Sequence, residues 1–96
     1  MKKEVYIKIK GRVQGIGFRR FAVREAERIG GISGWVRNEV DGSVEILMSG
    51  EEEQLDEMLL SCHRGPMLSR VDSVEFIVGR RSGFLPPIEE GVFHRV

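Results

Sequence analysis

Apolar and polar residues alternate with a period of two near the start of the chain, with Val5, Ile7 and Ile9 on one side and Tyr6, Lys8 and Lys10 on the other. This predicts a first strand with one buried face. Beyond a glycine-bearing loop the period changes. Phe18, Phe21, Ala22, Ala26 and Ile29 recur at helical spacing, Arg20, Arg24, Glu27 and Arg28 fall elsewhere, and Gly30-Gly31 stops the run. A first amphipathic helix is expected there. Ile32 to Asn38 reads as a second strand and Val44 to Met48 as a third, and Asp41-Gly42 between them is a tight hairpin turn, which makes the pair antiparallel.

Ser49-Gly50-Glu51-Glu52 has the Ser-x-x-Glu form of a capping box, after which Leu55, Met58, Leu59 and Cys62 repeat at i, i+3, i+4 and i+7. The second helix should run to about His63, where Gly65-Pro66 ends it. Val74, Phe76 and Val78 alternate as a fourth strand, and a Gly- and Pro-containing stretch from Gly79 to Gly91 leads to a short terminal strand, Val92 to Arg95. The order β-α-β-β-α-β predicts an α+β fold of the ferredoxin-like sandwich type, two helices covering one face of an antiparallel sheet.

A chain of 96 residues can bury about 60 to 70% of the surface its unfolded form exposes, so one domain spanning residues 1–96 is expected, with no metal or disulfide needed to fold it. Fifteen basic and fifteen acidic residues cancel to a net charge of zero. No overall field draws the chain to nucleic acid or acidic membranes, so any anion preference is local. The single Cys62 has no internal partner, no signal peptide pattern precedes Val5, and no apolar run is long enough to cross a membrane. The expected location is a reducing cytoplasm, and the expected state a monomer.

The chemistry concentrates in Gly11-Arg12-Val13-Gln14-Gly15-Ile16-Gly17-Phe18-Arg19, which joins the first strand to the first helix. Glycines permit the positive φ angles by which successive N–H groups curl into a nest, and the helix start adds unpaired donors and the positive end of its dipole. Phosphate suits such a junction. Arg19 sits near that positive end, where a cation is locally unfavourable, so its placement asks for a bound anion. Asn38, judged by spacing alone, reads as a hairpin-initiating residue.

Gly11 to Arg19, Gly34-Trp35-Val36-Arg37-Asn38, Asp41-Gly42-Ser43-Val44-Glu45, Gly65-Pro66 and Val71-Asp72-Ser73-Val74-Glu75 together make the chain closely similar to the acylphosphatase family over roughly Val5 to Val78. The resemblance implies hydrolysis of a small acyl phosphate to a carboxylate and inorganic phosphate, with no metal or organic cofactor. It also implies that Arg19 and Asn38 are the catalytic residues, one gripping phosphate and one orienting water, and that the main-chain amides of Gln14, Gly15, Ile16, Gly17 and Phe18 cradle the phosphate. These roles are chemically apt. A planar guanidinium holds two phosphate oxygens at once, and a carboxamide can accept a water proton without repelling the phosphate. Ile16 stands where valine is frequent in the family loop, and the chain end lacks the usual Phe-x-Ile.

The remaining polar residues read as structural. His63 ends the second helix, His94 lies near the terminus without metal-ligand spacing, Glu51 to Glu53 complement a helix dipole, and Cys62 belongs to an apolar stripe. Arg12 and Arg37 are left outside catalysis. Trp35 falls on the opposite strand face from Val36 and Asn38, either packing beneath a loop, the favoured reading, or lining the acyl-group surface. Two rivals share the element order. A non-catalytic module could hold a phosphorylated metabolite or an acidic partner group in the same nest. An RNA-binding domain is disfavoured because Ser43 to Met48 lacks the aromatic platform.

Overall fold

The structure, a computed structural model, describes residues 2–79 and 85–96. The chain runs β1 (Lys2–Arg12), α1 (Phe18–Ile29), β2 (Ser33–Asn38), β3 (Val44–Glu51), α2 (Glu52–Arg64), β4 (Arg70–Val78) and β5 (Phe93–Arg95). Its strands lie in the order β4-β1-β3-β2-β5. The first four pair antiparallel, as the ferredoxin-like expectation requires, whereas β5 pairs parallel with β2 and makes the sheet mixed. No helix among the described residues is long and apolar enough to cross a membrane.

Period-two alternation on β1 and β3 sends Val5, Ile7, Ile9, Val44, Ile46 and Met48 to one face, where Phe18, Ala22 and Ala26 of α1 and Leu55, Met58 and Cys62 of α2 close over them. Each large side chain so buried contributes roughly 1.5–3 kcal/mol, which fixes both helices on that face. Cys62 is buried as its stripe predicts, and burial, followed by the charge of Glu25, pushes its thiol up to about 12. A thiol held protonated in this way is no nucleophile.

Two features of the sheet depart from the sequence pattern. The first concerns the start of α2. β3 continues to Glu51, and Ser49 pairs with Glu4 on one side and Ser33 on the other, so it is part of a doubly bonded ladder and caps no helix. The cap lies two residues later, where Gln54 Oε1 accepts a hydrogen bond of 3.2 Å from the Glu51 amide. The second concerns the face of the sheet away from the helices, which is covered in part. Tyr6, Trp35 and Leu47 are buried there against Leu85 and Ile88, and Trp35 Nε1 donates to the Pro86 carbonyl at 2.8 Å. Trp35 therefore packs beneath the C-terminal segment. Within the Gly79 to Gly91 stretch, residues 80–84 lie outside the described residues. The terminal strand forms, reduced to Phe93–Arg95.

Candidate active site

Near the end of β1 the register with β4 shifts between Lys10 and Gly11, a bulge that bends the strand as it enters the loop. Gly15 and Gly17 then take φ angles of 75° and 84°. An L-residue costs roughly 1–2 kcal/mol in that left-handed region. A Cβ at either position would meet nothing within 4 Å, so backbone conformation rather than space calls for glycine. Gly17 is also the N-cap of α1 and brings no capping side chain, and the first turn holds no acidic residue. Because Phe21 N–H bonds to the Gly17 carbonyl at 2.9 Å as the first rung, the amides of Phe18, Arg19 and Arg20 precede the helical ladder. A curled loop feeding an uncapped helix start concentrates N–H donors and positive dipole at one point.

That point opens into a cavity of about 210 Å³. Gly15, Gly17, Phe18 and Arg19 line it from the loop and helix, and Asn38 lines it from the end of β2. Two of the loop residues named from sequence do not line it. Ile16 packs its side chain against the core, and the Gln14 carboxamide turns to the β2–β3 hairpin, where Nε2 donates to the carbonyls of Glu39 and Ser43 at 2.7 and 2.8 Å. Gln14 thus ties the loop to the hairpin that carries Asn38.

Asn38 follows Val36 at period two and so projects from the helix-facing side of β2, opposite Val44. Its neighbours are anchored on the other side. Arg37 Nε donates to Glu45 Oε1 at 2.8 Å and lies 3.0 Å from Glu39 Oε1, its guanidinium is 4.9 Å from the Trp35 ring centre, and the Tyr6 hydroxyl donates to Glu45. The turn is closed by Asp41 Oδ1, which accepts from the Ser43 amide and hydroxyl at 2.9 and 2.6 Å. Pinning residues 37 and 39 on one face fixes the strand end from which Asn38 reaches the other.

Burial pushes the Glu45 carboxyl up, but hydrogen bonds from Glu39, Tyr6 and Arg37 outweigh it and hold its pKa below the ordinary glutamate value. Glu39 moves the other way, raised first by its hydrogen bond to Glu45 and then by burial. Because Glu45 ionises more readily folded than unfolded, its ion pair with Arg37 contributes above the unfolded glutamate pKa and is lost as pH falls through the lowered value. Arg37→Ala, which leaves this carboxylate buried without its cation, should cost about 2 kcal/mol at neutral pH. Urea unfolding should show that deficit shrinking on acidification; a deficit independent of pH would contradict the assignment.

The cavity is electropositive although the chain is neutral overall. Arg28, Arg37, Arg64 and Arg70 each pair with a carboxylate. Arg19, Arg20 and Arg95 have no such partner among the described residues, and all three line the cavity, to which no acidic residue contributes. Arg20 and Arg95 were not legible as site residues. Arg95 left one signal in the sequence, its place two residues after the apolar Phe93 in an alternating terminal segment. His63 and His94 lie outside the lining, and the described residues hold no group of three His, Cys, Asp or Glu side chains placed for a metal.

A family model described as Acylphosphatase matches residues 5–85. An acylphosphatase from Nitrobacter winogradskyi is 52% identical over 69 residues, covering 72% of this chain and 69% of that relative. One from Geobacter sulfurreducens is 46% identical over 74 residues, covering 77% and 80% respectively. The crystal structure of acylphosphatase from Bacillus subtilis aligns with a TM-score of 0.83 at 34% identity and covers 100% of this chain and 99% of that one.

Proposed function

The chain belongs to the acylphosphatase family, and from that premise we propose that the cavity at the head of α1 hydrolyses small acyl phosphates, with Arg19 and Asn38 as its catalytic residues. One observation carries the assignment of roles: the glycine loop with Arg19 and, from a separate stretch of chain, Asn38 line the same cavity. The amides of Gln14, Gly15, Ile16, Gly17 and Phe18 form the phosphate cradle, Gln14 and Ile16 serving through their main chain alone. Arg19 grips two phosphate oxygens with its planar fork. Asn38 Oδ1 accepts a hydrogen bond from the attacking water and aims its lone pair at phosphorus, in line with the departing acyl oxygen.

A P–O bond forms to water as the P–O bond to the acyl oxygen breaks, and the electron pair leaves on the carboxylate. One water proton passes to a phosphate oxygen, so acyl phosphate and water become carboxylate and dihydrogen phosphate. Carboxylate is a good leaving group, so the residues need only position the reactants and neutralise charge. We place residues 1–96 as one such domain, acting as a cytoplasmic monomer without nucleic acid, membrane, metal or cofactor. The buried, unpaired Cys62 and the zero net charge support that setting. Membership of an enzyme family does not favour the rival of a non-catalytic phosphate-binding module.

The test is hydrolysis of benzoyl phosphate in metal-free buffer. Turnover should continue in EDTA and be inhibited competitively by inorganic phosphate. A protein that binds phosphate but leaves benzoyl phosphate intact would overturn the proposal.

A further inference from the structure

We infer that Arg20 and Arg95 form a cationic rim that selects acyl phosphates whose acyl group carries a second anionic group; the inference rests on the hydrolysis proposed for this cavity. Two elements far apart in sequence supply the rim. Arg20 comes from the first turn of α1, and Arg95 comes from β5. β5 is pinned to β2 at both ends, where Gly34 N–H donates to the Val92 carbonyl at 2.8 Å and Val96 N–H to the Val36 carbonyl at 2.9 Å. Arg95 therefore stands beside Val36, on the face where Phe93 enters the core, one strand over from the line that leads to Asn38.

Charge balance gives the rim its role. The acyl phosphate is a dianion, and Arg19 with the helix N-terminus, worth roughly half a positive charge, and the cradle amides already answer it. Arg20 and Arg95 add two more positive charges to the same cavity, with no acidic residue lining it and no carboxylate partner for either among the described residues. A singly functional substrate leaves that excess uncompensated. Both arginines are exposed, so they stand at the open side of the cavity, where the acyl group must extend once the phosphate is seated against the loop. A carboxylate or phosphate on that group would meet guanidinium forks suited to bidentate binding.

The test compares succinyl phosphate, which carries a distal carboxylate, with benzoyl phosphate, which does not. For Arg95→Gln and Arg20→Gln, kcat/KM for succinyl phosphate should fall about tenfold, mainly through KM, against about twofold for benzoyl phosphate. Added salt should narrow the gap, and the inhibition constant for inorganic phosphate should stay within about twofold of the unmodified protein's. Equal losses on both substrates, a parallel loss of phosphate inhibition, or no loss on either would overturn the inference. An unmodified protein that hydrolyses neither substrate would instead remove the underlying activity, and the rim's role with it. Because both side chains are exposed, unchanged thermal unfolding of the variants separates selectivity from misfolding.

Discussion

Arg19→Gln should lower kcat/KM for benzoyl phosphate by about 10³-fold or more, the range in which a single guanidinium stabilises charge on a transferring phosphoryl group. Stability should move in the opposite direction. Arg19 is the second residue of α1, has no ion-pair partner among the described residues, and stands at the positive end of the helix dipole. Removing that cation should leave the unfolding temperature unchanged or raise stability by a few tenths of a kcal/mol. The variant should also lose the stabilisation that phosphate gives the unmodified protein, about 2.7 kcal/mol when phosphate is at 100 times its dissociation constant. Arg19→Lys should recover little, because a point-like ammonium does not reproduce the two-oxygen grip. Activity within tenfold of the unmodified protein in either variant would place the phosphate grip elsewhere.

What the sequence disclosed and what it hid divide along a physical line. α1 was legible from Phe18 to Ile29 because one turn's worth of spacing and a double glycine stop are local signals. The glycine loop was legible for the same reason. Ser49 was misread as a cap because the pattern Ser-x-x-Glu is local, whereas its fate is set by strands on both sides whose ladders outweigh one capping bond. The polar side of β1 concealed a second small core, since Tyr6 becomes buried only when Trp35, Leu47, Leu85 and Ile88 arrive from elsewhere in the chain. Arg95 was missed on the same account. The alternation that links it to Phe93 spans only three residues, and the place of that strand beside β2 depends on a parallel pairing that no local pattern encodes. Asn38 shows how the two kinds of information combine: spacing alone suggested a turn residue, the family resemblance suggested catalysis, and the fold puts its side chain at the cavity.

Asn38→Ala should separate chemistry from binding. The carboxamide is exposed at the end of β2, and the strand end is held by Arg37, Glu39 and Gln14 rather than by Asn38 itself, so stability should change by no more than about 0.5 kcal/mol. With the cradle and Arg19 untouched, the inhibition constant for inorganic phosphate should stay within about twofold. Turnover should nonetheless fall by about 10² to 10³, the loss typical when one preorganised polar group leaves a reacting centre. Asn38→Asp should be worse on both counts, because a carboxylate beside the phosphate adds repulsion that an amide does not. If Asn38→Ala loses phosphate inhibition in step with turnover, its side chain belongs to the phosphate grip, and the water must be oriented by another group.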